Sequence, residues 1–119
     1  MRACAVLTPA ESKRLIAKAV AQMDEVKYAL RNGLIVITRG TTSAFVAEEI
    51  LGKGLDKAAF AGGLVIPRGL CINKTLLREI VIERGRVRED LSYVDAVDKL
   101  GAGDVYIKSA NALDPDGNV

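Results

Sequence analysis

The sequence predicts an α/β fold, an open and mostly parallel sheet covered by helices in a Rossmann-like three-layer arrangement with a hairpin-rich middle. Three observations carry this. A helical pattern leads at once into Leu34-Ile35-Val36-Ile37, a wholly apolar and mostly β-branched run of the kind that a strand buried on both faces shows. A second helical pattern and a second strand, around Val105-Tyr106-Ile107, repeat the alternation near the other end of the chain. The core composition is aliphatic: half of the 119 residues are hydrophobic, yet there is no Trp and only three Tyr and two Phe. A chain of this length suits one domain, so residues 1–119 read as a single α/β domain or the N-terminal portion of a longer one.

The first helix is announced by Thr8-Pro9-Ala10-Glu11, in which Thr8 can cap, Pro9 suits the first turn and Glu11 can close a capping box. Leu15, Ile16, Ala19, Val20, Met23, Val26, Ala29 and Leu30 then recur at helical spacing, predicting one continuous helix with a single buried stripe. Asn32-Gly33 is expected to stop it in a left-handed conformation. After the strand at 34–37, Arg39 and Gly40 make a tight turn. Thr41 or Thr42 is expected to cap the next helix, whose inner side carries Phe45, Val46, Ile50 and Leu51 and which ends near Gly52 and Gly54.

From residue 58 to residue 87 short apolar runs alternate with Gly-Gly, Pro-Arg-Gly and Arg-Gly, predicting strands at 63–66, 70–72 and 79–83 joined as hairpins. Residues 79–88 alternate as a half-exposed hairpin should, so the charges there read as a solvated face. Asp90 or Ser92 can cap a further helix through Tyr93, Val94, Val97 and Leu100, closed by Gly101. The last strand, at 104–108, runs into a Pro-Asp-Gly turn at 115–117.

Charge and composition narrow the functional classes. The net charge of +2 comes from 17 basic and 15 acidic residues spread over the chain. The basic-leaning stretch from residue 68 to residue 88 has no interleaved aromatics, which argues against nucleic acid. No apolar run is long enough to cross a membrane and no leader pattern opens the chain, so no membrane partner and a cytoplasmic location are expected. With no His and two widely separated cysteines, a structural zinc site and His-dependent nucleophile systems are excluded. No metal or other cofactor is expected, and Cys4 and Cys71 read as small buried residues.

Two segments could carry chemistry. Ligands of open α/β sheets sit beyond the carboxyl ends of the strands, and Arg39, Gly40, Thr41, Thr42 and Ser43 occupy such an end at a helix N-terminus. Backbone N–H groups, hydroxyls and a guanidinium suit an anion there, although simple capping by Thr and Ser would use the same residue types. The second segment is Lys108, Ser109, Asn111 and Asp114. If its strand runs parallel to the first, Lys108 could pair with an anion, Asn111 could hydrogen-bond a hydroxyl or carbonyl, and Asp114 could serve as a base. The competing account is a surface turn made by Asp-Pro-Asp-Gly.

Together the two segments carry a resemblance. A helix followed by Arg31-Asn32-Gly33-Leu34-Ile35-Val36-Ile37-Thr38-Arg39-Gly40-Thr41-Thr42-Ser43 resembles the opening of the superfamily that contains ribose-5-phosphate isomerase, glucosamine-6-phosphate deaminase, CoA transferases and the effector domains of sugar-responsive repressors. Those proteins place a glycine-threonine-serine phosphate loop after their first strand. Residues 109–117 are similar to their Gly-Ala-Asp segment, which faces the sugar. The resemblance implies a domain that recognises an anionic metabolite, phosphorylated or acyl-CoA-like, through Arg39 to Ser43 with Lys108 and Asn111. It also implies chain beyond residue 119.

Two departures bear on catalysis. Asn111 stands where the family's enzymes carry an active-site Asp and cannot exchange a proton at neutral pH, and Arg39 stands where a small residue is usual. A sugar-phosphate isomerase or CoA transferase would have to use Lys108, Asp114, Glu48 or Glu49 instead. A third alternative is an oligomerisation module without a ligand, in which the aliphatic hairpins make a homo-oligomer interface.

Overall fold

A computed structural model of the chain describes residues 3–66, 69–72, 76–110 and 114–118. Helix α1 (Pro9–Gln22) begins with the expected capping box: Thr8 Oγ1 accepts the Glu11 N–H at 3.3 Å, and Glu11 Oε2 accepts the Thr8 N–H at 2.7 Å. The single long helix expected from the periodicity is two helices. Met23 adopts φ −60° and ψ 140°, which breaks the helical ladder, and α2 (Asp24–Asn32) starts anew with Asp24 and Glu25 in its first turn, where carboxylates favour the helix dipole. The expected stripe is divided accordingly. Ala17, Val26 and Ala29 are buried, whereas Leu15, Ile16 and Met23 are 59%, 48% and 48% exposed.

Gly33 is extended (φ −129°, ψ −152°), not the left-handed stop expected. Its necessity is steric, because a Cβ there would stand 2.4 Å from Asp104 Oδ1. Strand β1 (Leu34–Ile37) is buried along its whole length, as its apolar run predicts. Its side chains divide between the two faces of the sheet. Ile35 and Ile37 join Val26, Ala29, Ala44, Ala47, Phe60 and Ile82 in one cluster, while Leu34 and Val36 join Val81 and Ala96 in another.

Helix α3 (Thr41–Leu51) is capped by Gly40 and not by Thr41 or Thr42, with no side-chain cap bond, and it ends on left-handed Gly52. Strands β2 (Gly63–Ile66) and β3 (Gly69–Ile72) pair antiparallel as a separate two-stranded sheet. The next hairpin joins β4 (Ile80–Glu83) to β5 (Arg86–Val87) through Arg84 (φ 46°) and Gly85 (φ 78°), two left-handed residues that match the right-handed twist of the strands. It is less half-exposed than its alternation suggests. Val81 and Ile82 are both buried, and Arg88, beyond the hairpin, pairs with Glu83 at the end of β4 and with Asp90. Helix α4 (Tyr93–Asp98) is capped by Ser92, and β6 (Val105–Ile107) follows.

The four-stranded sheet has the order β5-β4-β1-β6 and is open. It is mixed, where a mostly parallel sheet was expected: β1 runs parallel to β6 but antiparallel to β4, and β4 antiparallel to β5. The hairpin is the cause. Its two strands are necessarily antiparallel to each other, and it enters the main sheet beside β1 instead of standing apart from it. Cys4 is exposed, contrary to the buried role expected, and the side chain of Cys71 lies outside what the structure describes. Among the described residues no helix is long and apolar enough to cross a membrane.

Candidate functional site

The parallel pairing of β1 with β6 brings the chain out of both strands at one edge, with Ile37 level with Ile107. One residue further on, Thr38 donates twice to the Ile107 carbonyl, from its backbone N–H at 3.0 Å and from Oγ1 at 3.1 Å, so the two exits stay registered. Gly40 N–H donates to the Phe60 carbonyl at 3.0 Å. Beneath the turn, Ser43 is 1% exposed and its Oγ lies 3.1 Å from Ser109 Oγ. A Cβ on Gly40 would come within 3.1 Å of Ser109 Oγ and 3.3 Å of Ser43 Oγ, which explains a glycine where the two hydroxyl-bearing turns meet.

Over this edge opens a cleft of about 680 Å³. Arg39, Gly40, Thr41, Thr42 and Lys108 line it, as do Thr38, Ser109 and Ala110. Five of the seven residues proposed from sequence are thereby brought to one cavity. Ser43 supports its floor through Ser109, and Asn111 lies outside the described residues. The first turn of α3 carries no side-chain cap, which leaves the positive end of its dipole beside Thr41 and Thr42. Lys108 is exposed and donates to the Ser109 carbonyl at 3.2 Å.

Sequence reasoning missed several residues of the lining, among them Glu79, Tyr93 and Tyr106. Glu79 stands with Oε1 2.7 Å from Arg39 Nε, and the Tyr93 and Tyr106 hydroxyls lie 3.1 Å apart. The bond to Tyr93 raises the Tyr106 phenol above its ordinary pKa. Glu79 reaches the cleft because β4 is antiparallel to β1: Ile80 pairs with Ile37, so the residue before β4 falls at the end where β1 exits. The alternation around Glu79 marked a strand, but only the pairing shows where that strand lies. Beyond Glu79 and Tyr93 a second cleft of about 890 Å³ is lined by Leu51, Phe60, Leu77, Val87, Leu91 and Val94 among others.

The carboxylates considered as bases are otherwise occupied. Asp114 Oδ1 accepts the N–H groups of Asp116 (3.0 Å) and Asn118 (2.8 Å), and Oδ2 accepts Asn118 Nδ2 at 2.8 Å. These bonds, led by that of the Asn118 side chain, hold the carboxyl below its usual range, and Asp114 is not part of the cleft lining. Glu48 is engaged by Lys57 Nζ at 2.5 Å, the Leu55 N–H at 3.0 Å and Arg14 Nη2 at 2.5 Å, which bring its pKa to about 2. Glu49 pairs with Arg14 Nη1 at 3.2 Å. Among the described residues no group of three or more His, Cys, Asp or Glu is placed to hold a metal ion. Compared with protein-family models, with curated proteins and with solved structures, the chain matches none.

Proposed function

We propose that this chain is a small-molecule-binding domain that takes an anionic metabolite, phosphorylated or acyl-CoA-like, at the shared carboxyl end of β1 and β6. The carrying observation is the cleft itself, where Arg39, Lys108 and the uncapped first turn of α3 converge on one cavity. Arg39 and Lys108 supply the charge. Thr41 and Thr42 offer hydroxyls and amides, Gly40 permits close approach, Ser43 braces the turn, and Asn111 completes the set from the second segment. The dipole of α3 is worth only about 0.3–1 kcal/mol, whereas a charge-assisted hydrogen bond is worth roughly 1.5–3 kcal/mol, so the two cations dominate affinity.

Binding without turnover is the better-supported form of this reading. Asn111 replaces the proton-exchanging Asp of the enzymes that the two segments resemble, and Asp114 and Glu48 already spend their lone pairs on neighbours. The same reading assigns the fold to the Rossmann-like three-layer class. It is supported by side-chain clusters on both faces of β1, one with α2 and α3 and one with α4.

Isothermal titration of the full chain with inorganic phosphate, ribose 5-phosphate and acetyl-CoA tests the proposal. Saturable binding of at least one of them is expected, and Arg39→Gln and Lys108→Gln are each expected to weaken it about tenfold, the loss of roughly 1.4 kcal/mol. Silence towards all three at millimolar concentration, or binding indifferent to both substitutions, would sink it.

A further inference from the structure

We infer that Glu79 is a built-in competitor for the anion site: its carboxylate occupies Arg39 in the free protein, and a ligand must displace it to reach the guanidinium. The inference rests on reading the cleft as an anion site, and it adds how that site is regulated. Arg39 Nε and Glu79 Oε1 are 2.7 Å apart, and both residues line the cleft. Their side chains are 35% and 20% exposed, so the pair is partly shielded from the solvent that weakens fully exposed ion pairs. The carboxylate is also positioned by the sheet and not by a free loop, since Glu79 directly precedes β4 and Ile80 is in register with Ile37, two residues before Arg39.

An anion arriving at Arg39 meets a carboxylate already there. It loses the attraction of an already neutralised guanidinium, and if it binds without displacing Glu79 it also faces a like charge. Multiply charged anions can overcome this opposition, whereas acetate and chloride gain too little. Glu79 thus sets a threshold that selects strongly charged ligands. Glu79 also lines the second cleft, which gives the displaced carboxylate room to turn into.

The test is a titration of the isotope-labelled full chain with inorganic pyrophosphate, followed by nuclear magnetic resonance at the Arg39 Nε–H and at the amides of Thr41, Thr42 and Ser43. Both sets of signals are expected to move together. Glu79→Gln is expected to tighten binding about three- to tenfold, a gain that falls below about twofold when Arg39→Gln is combined with it. If the amides of 41–43 respond while the Arg39 Nε–H does not, or Glu79→Gln binds no more tightly, the competitor role is overturned and the anion site survives. If neither the native chain nor Glu79→Gln responds at 41–43, both are overturned. Should Glu79→Gln fail to fold, the titration of the native chain decides alone.

Discussion

Asp104 joins the two strands that frame the cleft. Its Oδ1 accepts the Leu34 N–H at 2.7 Å and its Oδ2 accepts the Gly101 N–H at 2.8 Å, so one carboxylate ties the entry of β1 to the turn before β6. Gly33 makes room for it, because an alanine Cβ would stand 2.4 Å from Oδ1 and would have to push the carboxylate off the Leu34 amide. Gly33→Ala is therefore expected to destabilise the fold by about 2–3 kcal/mol, the combined scale of a steric clash and a lost charge-assisted hydrogen bond. Urea unfolding gives the measurement. Asp104→Ala should be costly on its own, yet the double variant should lose less than the sum, since the clash needs both side chains. A Gly33→Ala midpoint equal to that of the native chain would mean that the carboxylate yields freely. The asparagine-glycine pair after a helix suggested a left-handed stop because that is its common local use. What fixes this glycine is a contact from the far end of the chain, which no local pattern reveals.

Helix α3 is held to α1 and to the loop after it by a network centred on Glu48, which Arg14 and Lys57 bind from two sides. The same two cations lie 4.8 Å and 5.1 Å from the centre of the Phe45 ring. Lys57, followed by the Leu55 amide and Arg14, lowers the Glu48 pKa from 4.5 to about 2. A carboxylate depressed in the folded state stabilises fully above its unfolded value, and the contribution is lost as the pH falls from about 4.5 to about 2. Arg14 and Lys57 are each a third exposed, so solvent screening reduces the network to about 1 kcal/mol. Glu48→Gln is expected to show that deficit at pH 7 and progressively less of it towards pH 2, in urea midpoints taken across the range. A deficit independent of pH would assign the effect to packing.

At this scale the sequence was most informative where an element is decided by its own residues. The Thr8-Glu11 box, the apolar run of β1, the left-handed Gly52 cap and the Arg84-Gly85 hairpin all belong to that kind. The break at Met23 carries no proline or glycine to mark it. Strand direction was equally hidden, and Glu79, Tyr93 and Tyr106 join the cleft only through the pairing of β4, the placement of α4 and the register of β6.

Over the whole molecule, β1 is the strand on which both packed clusters depend, and it is hydrogen-bonded on both edges, to β4 and to β6. The sheet of β2 and β3 has only two strands, and among the described residues it pairs with no strand of the larger sheet. Two-stranded sheets are marginal by themselves. Freeing the β1 amides, by contrast, requires both clusters to come apart. Native-state hydrogen exchange should therefore divide the chain. Amides of residues 35–37 and of Val81 and Ile82 should exchange only through global unfolding, with the steep denaturant dependence that this implies. Those of β2 and β3 should exchange at least about a hundredfold faster, with a shallow dependence, through local opening. Equal protection and equal denaturant slopes in the two sheets would show that the hairpin unfolds with the core, and that the wall of the cleft containing Gly62 and Gly63 is as firm as the turns after β1 and β6.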